Sequence, residues 1–208
     1  MYRPKVFAED RIEVLHQFIR QYPLATVVTS GPEGLLANLI PVSLHEIGKK
    51  GTIRLHLAKM NSQAERIQAG DEILFVFNGP QAYVTPSFYP SKQVNGKVVP
   101  TWNYSTVQVR GKAKVFDDPN WVLQQINDLT SAMEKDRSVP WGVSDAPDDY
   151  ILSQLKIIIG IEVVIEAIEG KFKVSQNQSA ENNKGVIDGF IKEGNKEMAS
   201  LVAERRRS

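Results

Sequence analysis

Apolar and polar residues alternate at two different periods along this chain, and the switches between them divide it into elements. From residue 9 to 22, Ile12, Leu15, Ile19 and Tyr22 fall three, four and three apart, which predicts one helix ending at Pro23. Strand-like patterns follow over Leu24 to Thr29, Leu35 to Leu44 with an interruption at Pro41, and Thr52 to Ala58. Turns are read at Gly31-Pro-Glu-Gly34 and Gly48-Lys-Lys-Gly51. Asn61 or Ser62 can cap a short helix running to about Ala69 and ended by Gly70. Glu72 to Phe77 and Ala82 to Thr85 read as two further strands, and Ser87 to Val99 as a mobile loop. In the next strand Val107, Val109, Gly111, Ala113 and Val115 take one face, with Gln108, Arg110, Lys112 and Lys114 on the other. Asp118 and Pro119 open a helix whose stripe is Val122, Ile126, Leu129 and Met133. A polar linker over 138–149 and a short helix over 148–155 lead to a strand from Ile157 to Ile168. A turn at Glu169-Gly170 and a last strand from Lys171 to Ser175 follow. Residues 181–205 read as a helix broken at Gly189 and Gly194.

About six short strands come before the first long helix and two after it, joined by hairpins or short helices. That order suits an antiparallel barrel rather than a doubly wound parallel sheet. The fold class expected is mainly β with peripheral α-helices. Residues 1–180 would form the barrel domain with inserted helices, and 181–208 a helical extension packing on the barrel or on a partner subunit.

Composition narrows the function classes. With 42% hydrophobic and 24% charged residues among 208, the chain is of ordinary globular type. It has no cysteine, so disulfides, thiol nucleophiles and thiolate metal sites are excluded. No apolar run approaches the roughly 18 residues of a membrane span, and no signal peptide is visible. The cytoplasm is therefore the expected compartment. A net charge of +1 argues against a strongly basic nucleic-acid footprint. The Arg205-Arg-Arg207 tail is read as frayed and solvated.

The residue types that exceed what a core needs lie in three places. Val99-Pro-Thr-Trp-Asn-Tyr-Ser-Thr106 packs a Trp, an Asn, a Tyr and hydroxyls just before a strand, the chemistry of a surface that holds a flat, polar-edged ligand. An aromatic loop capping a barrel end would use the same residues. In His56-Leu-Ala-Lys-Met-Asn-Ser-Gln63 a strand gives way to a helix. Lys59 offers charge there, and Asn61, Ser62 and Gln63 offer donors, as for a phosphate, although a plain helix cap would look alike. The third place is Lys173-Val-Ser-Gln-Asn-Gln178. Of the three histidines only His56, on a strand face, could look into a site, and none has metal-ligand spacing. There is no G-x-G-x-x-G, no P-loop and no recognisable nucleophile–base pair. The expectation is a binding protein with no catalytic and no metal residues assigned.

These motifs, in order, resemble one family. Met1-Tyr-Arg-Pro-Lys-Val-Phe7, His56-x-Ala-Lys-x-Asn61, Tyr83-Val-x-Pro-Ser-Phe-Tyr89, Val99-Pro-Thr-Trp-Asn-Tyr104 with Val107-x-Val-x-Gly111, and Lys173-x-Ser-Gln-Asn177 are similar to the PaiB proteins. Those are described as FMN-binding negative transcriptional regulators. The resemblance implies an FMN-binding split β-barrel like that of pyridoxamine phosphate oxidases, acting as a homodimer. It implies that the turn at Ala58, Lys59 and Asn61 receives the FMN phosphate, with His56 also among the cofactor-binding residues. Thr101, Trp102 and Asn103 would line the flavin, and Lys173, Ser175 and Gln176 would close the site. Ser62 replaces a proline frequent in the family, and Phe88 a tryptophan. The main expectation is a repressor-type regulator with itself as partner and DNA as a weakly supported one. The alternatives are an FMN-dependent oxidoreductase, and a barrel that works through protein partners without flavin.

Overall fold

Two long strands and the helix capped between them set the frame of this chain. The computed structural model describes residues 1–68 and 72–206. In chain order its elements are β1 (Ala8–Glu9), α1 (Ile12–Gln21), β2 (Leu24–Gly31), β3 (Gly34–Pro41), β4 (Ser43–His45), β5 (Thr52–Ala58), α2 (Ser62–Gln68) and β6 (Glu72–Val84). Then come α3 (Ser91–Asn95), β7 (Thr101–Phe116), α4 (Pro119–Glu134), α5 (Asp148–Leu155), β8 (Ile158–Lys173), α6 (Ala180–Lys192) and α7 (Lys196–Glu204). The strands form one eight-stranded sheet in the order β3-β2-β6-β7-β8-β5-β4, with β1 paired to β8. Each pairing with a stated register is antiparallel. Among the described residues no helix is long and apolar enough to cross a membrane. The expected helix end at Gly70 lies outside the described residues.

Two compact units share these strands. The first comprises Met1–Leu15, Asn78–Val107 and Glu169–Ser208, the second His16–Phe77 and Gln108–Ile168.

In the second unit, alternation places Ala25, Val27, Ile40, Ile53, Leu55, Ile73, Phe75, Phe77, Val109, Ile161 and Val163 in the core. Helix α2 adds Ala64 and Ile67. Its Gln63 is fully buried and spent on the fold: Nε2 donates to the Val27 carbonyl at 2.8 Å, and Oε1 accepts from Asn38 at 2.9 Å. Gln63 is thus no free donor for an anion. Helix α4 opens as read, the Asp118 side chain accepting from Asn120 N at 2.9 Å with Pro119 following. The position it buries after Val122 is Gln125 rather than Ile126, and Met133 is exposed. His16 is satisfied by the Lys50 carbonyl at 2.9 Å.

In the first unit the core is Val84, Tyr89, Val174, Val186, Phe190, Met198, Ala199 and Val202. The C-terminal helices supply most of it. The break between α6 and α7 falls at Gly194, whose φ of +79° a side chain would oppose. Gly189 does not break the helix. It lets the Phe88 ring approach, a Cβ there standing 2.4 Å from that ring.

Several expected boundaries move, for reasons of packing. The helix read over 9–22 begins only at Ile12, because Ala8 and Glu9 pair with Lys171 and Gly170. The turn read at Glu169-Gly170 is absent, and β8 runs through it. Gly170 is small because a Cβ would stand 2.4 Å from Leu15 Cδ2. The two strands read over 72–85 are one. Residues 87–99 carry helix α3 rather than an irregular loop throughout. The Trp102 motif lies inside β7, not before it, since Asn103 and Ser105 continue the buried alternation of Val107 and Val109. Arg205 is not solvated: its guanidinium pairs with Glu9 at 2.5 Å and lies 3.9 Å over the Phe172 ring.

Candidate functional site

The residues named from the sequence divide between the two units. His56, Ala58, Lys59 and Asn61 are in the second. His56 leaves β5 on its polar face, and its Nδ1–H donates to Gln125 Oε1 of α4 at 2.8 Å. Ala58 is exposed, and its carbonyl accepts from Asn61 N at 2.9 Å. Asn61 is the cap of α2, its Oδ1 accepting from Gln63 N at 2.9 Å. Lys59 Nζ is paired with Asp117 at 2.6 Å, so an incoming phosphate would compete with a carboxylate already in place. The pair is partly exposed, which makes that exchange inexpensive.

Thr101, Trp102, Asn103, Lys173, Ser175 and Gln176 come together in the first unit. Lys173 Nζ donates to Thr101 Oγ1 and to the Trp102 carbonyl, each at 2.6 Å. Asn103 and Ser175, both buried, exchange hydrogen bonds at 3.0 and 3.1 Å. Ser175 has φ +66°, a conformation a non-glycine residue adopts at a cost. Its carbonyl accepts from Asn183, and the flanking Gln176 bridges Val174 N and the Phe172 carbonyl. The Ser-Gln-Asn motif thus turns the chain from β8 toward α6. The polar atoms of Asn103, Ser175 and Gln176 are occupied by that task, whereas Trp102 is free at 54% exposure with Tyr83 edge-on at 6.0 Å.

Beside Trp102 opens a cavity of about 440 Å³ lined by Tyr2, Pro4, Phe7, Thr101, Trp102, Tyr104, Lys171 and Lys173. That is within the range of small-ligand sites. Lys171 Nζ lies 5.5 Å from the Tyr2 ring and 5.2 Å from that of Tyr104, and Lys173 Nζ lies 6.0 Å from Phe7. Burial, and then the like charge of Lys171, hold the Lys173 ammonium below the usual lysine range. Tyr104 belongs to the aromatic motif read from the sequence and Tyr2 and Phe7 to its opening motif, but the sequence assigns none of them to the site, and Lys171 reads there only as the start of a strand. The signal was there in part, since Lys171 and Lys173 are two apart on one strand face, but their meeting with residues 2–7 depends on the pairing of β1 with β8.

A cationic pocket walled by aromatic rings suits a flat anionic ligand. Residues 1–167 match the family described as "Putative FMN-binding domain". The chain belongs to the PaiB-type FMN-binding-domain family. An uncharacterized protein of Aspergillus fumigatus is 39% identical across 99% of this chain and 97% of its own length. The Bacillus subtilis "Protease synthase and sporulation protein PAI 2" is 29% identical across 99% of this chain and 98% of its own length. Among solved structures, the FAD and heme binding protein of Mycobacterium smegmatis superposes with a TM-score of 0.58 at 14% identity, over 79% of this chain and 71% of that one. That likeness is one of fold. The family's split β-barrel class, mainly antiparallel sheet with flanking helices, is the fold of this chain.

Proposed function

We propose that this chain binds FMN as a homodimer and acts as a negative regulator of transcription in the cytoplasm. Family membership supports the flavin, and the observation in this chain that carries it is the cationic, aromatic-walled pocket beside Trp102. The donor set fits the group: Lys171 and Lys173 offer positive charge and donors to its polar edge, and Trp102 and Tyr104 offer aromatic faces to its ring. His56, Ala58, Lys59 and Asn61 are the second unit's own candidates for a phosphate, Lys59 by exchanging Asp117 for it. Thr101, Trp102 and Lys173 would face the flavin, and Asn103, Ser175 and Gln176 would hold them in place. When bound, the flavin supplies a ring able to take up or release electrons. The protein's own groups orient it and keep water from its covered face.

The dimer has support of its own in the second unit. On the outer face of β2, β3 and β6, register aligns Leu24 with Pro41, Thr26 with Leu39 and Val76, and Val28 with Ala37 and Leu74. Leu35 and Leu39 there are 78% and 67% exposed. A contiguous apolar sheet face marks an interface, and a second copy offers the same face for a two-fold contact.

An FMN-dependent oxidoreductase is the second reading. Lys173, whose proton is held loosely, is the group in the pocket suited to proton transfer. The visible spectrum of the purified protein before and after FMN addition tests the flavin, and an unchanged free-flavin spectrum would end that part. NADH or NADPH oxidation near the rate of free FMN, together with specific binding to a DNA fragment from the protein's own promoter that weakens steeply with salt, is expected for the regulator. Rapid turnover without specific DNA binding would establish the oxidoreductase instead.

A further inference from the structure

The two lysines of the Trp102 pocket present an electrostatic imbalance. Lys171 is only 9% exposed. Lysine is almost never buried to that degree unless it is paired. Neither Lys171 nor Lys173 forms an ion pair among the described residues. The nearby carboxylates serve other cations: Glu9 holds Arg11 and Arg205, Asp10 holds Arg3, and Glu169, two residues from Lys171 along β8, holds the Met1 ammonium. Lys173 satisfies two of its three protons on Thr101 and the Trp102 carbonyl. Lys171 has two tyrosine rings at 5.2 and 5.5 Å, near the outer reach of cation–π attraction. Such contacts return less than the burial of an ammonium costs. The two side chains leave the same face of β8, on either side of Phe172, and so stand against each other in one pocket.

We propose that this pocket binds the phosphate or carboxylate of a small planar molecule, with Lys171 and Lys173 as a paired anion clamp and Trp102 and Tyr104 against its ring. The pocket assembles residues 2–7 with 171 and 173. The lysine pair lies past residue 167, where the match to the family's domain ends. Two molecules could bring this chemistry: FMN through its own phosphate, which would then sit here in place of Lys59, or a separate aromatic acid. The inference rests on the flavin reading only for the first of these.

The test is calorimetric titration of the full-length, flavin-free protein with phenyl phosphate, and with benzyl alcohol as the neutral counterpart. Phenyl phosphate should bind and benzyl alcohol should bind at least about tenfold more weakly, the worth of one charge-assisted contact. Lys171→Met should lower phenyl phosphate affinity about tenfold or more while the protein melts no lower than wild type, because an uncompensated buried charge has been removed. Lys171→Arg should retain binding. Equal affinity in wild type and Lys171→Met, or no binding of phenyl phosphate, would overturn the assignment. FMN and riboflavin distinguish the sources. If Lys171→Met weakens FMN but not riboflavin, and phenyl phosphate displaces FMN, the anion is the flavin's own. If FMN is unaffected and phenyl phosphate binds beside it, a separate acid occupies the clamp. Phenyl phosphate binding in a protein that fails to bind FMN would uphold the clamp and reject the flavin reading.

Discussion

Glu9 is a strongly perturbed carboxylate of the first unit. It is 5% exposed and takes two hydrogen bonds from the Arg11 side chain, one from the Arg11 backbone and one from Arg205. The Arg11 side-chain bonds, above all, lower its pKa from 4.5 to about 2, against the opposing effect of burial. A carboxyl with a depressed native pKa contributes stability that is complete above its unfolded pKa and is lost as pH falls toward the native one. The contribution from Glu9 should therefore vanish between about pH 4.5 and pH 2. Arg11 is largely exposed, and water screens its attraction, so about 1–2 kcal/mol is expected rather than the full shift. Urea unfolding of Glu9→Gln and wild type across pH 2–7 checks this. The two stabilities should differ by that amount at pH 7 and converge near pH 2. Parallel curves would show that the arginines do not hold Glu9 in solution.

At the scale of elements, Gly185 decides how α6 meets the segment after β6. A Cβ there would stand 2.1 Å from the Phe88 carbonyl oxygen, a backbone atom that cannot rotate aside. Gly185→Ala would gain up to about 1 kcal/mol of helix propensity, and overpacking of this kind costs about 1–3 kcal/mol. With the full propensity gain a net loss of up to about 2 kcal/mol is expected as a lower urea midpoint, and a raised midpoint would mean that α6 moves away freely. The glycines also show why some elements were legible in the sequence and others were not. Strand β5 has the bounds its alternation gives, and α4 opens at Asp118, because periodicity and capping are local signals. Gly170 reads as a turn by itself, yet it sits inside β8 where Leu15 presses on it, a contact more than 150 residues apart in the chain. The site follows the same rule. Thr101, Trp102 and Lys173 stand out as types in a motif, whereas Tyr2 and Lys171 gain meaning only through the pairing of β1 with β8.

For the whole molecule, the proposed dimer is tested at the apolar face of β2, β3 and β6. Leu39→Glu puts a charge at the centre of that face, opposite Thr26, where a monomer's solvated strand tolerates it and a buried two-fold contact does not. Light scattering should give about the 23.3 kDa chain mass for this variant and twice that for wild type, with unchanged far-ultraviolet circular dichroism. A variant that stays dimeric would move the contact to another face. The arrangement of the first unit has a different consequence, for how the chain is made. Its opening strand, Ala8–Glu9, is completed by Gly170 and Lys171, and Tyr2 and Phe7 share a cavity with Lys171 and Lys173. A ribosome adding about 5–20 residues per second emits the first of these groups on the order of ten seconds before the last. Throughout that interval Tyr2 and Phe7 have no wall to close against. The cavity beside Trp102 is therefore among the last features of the molecule to exist, and any small molecule that fills it can report only on chains whose synthesis has passed residue 173.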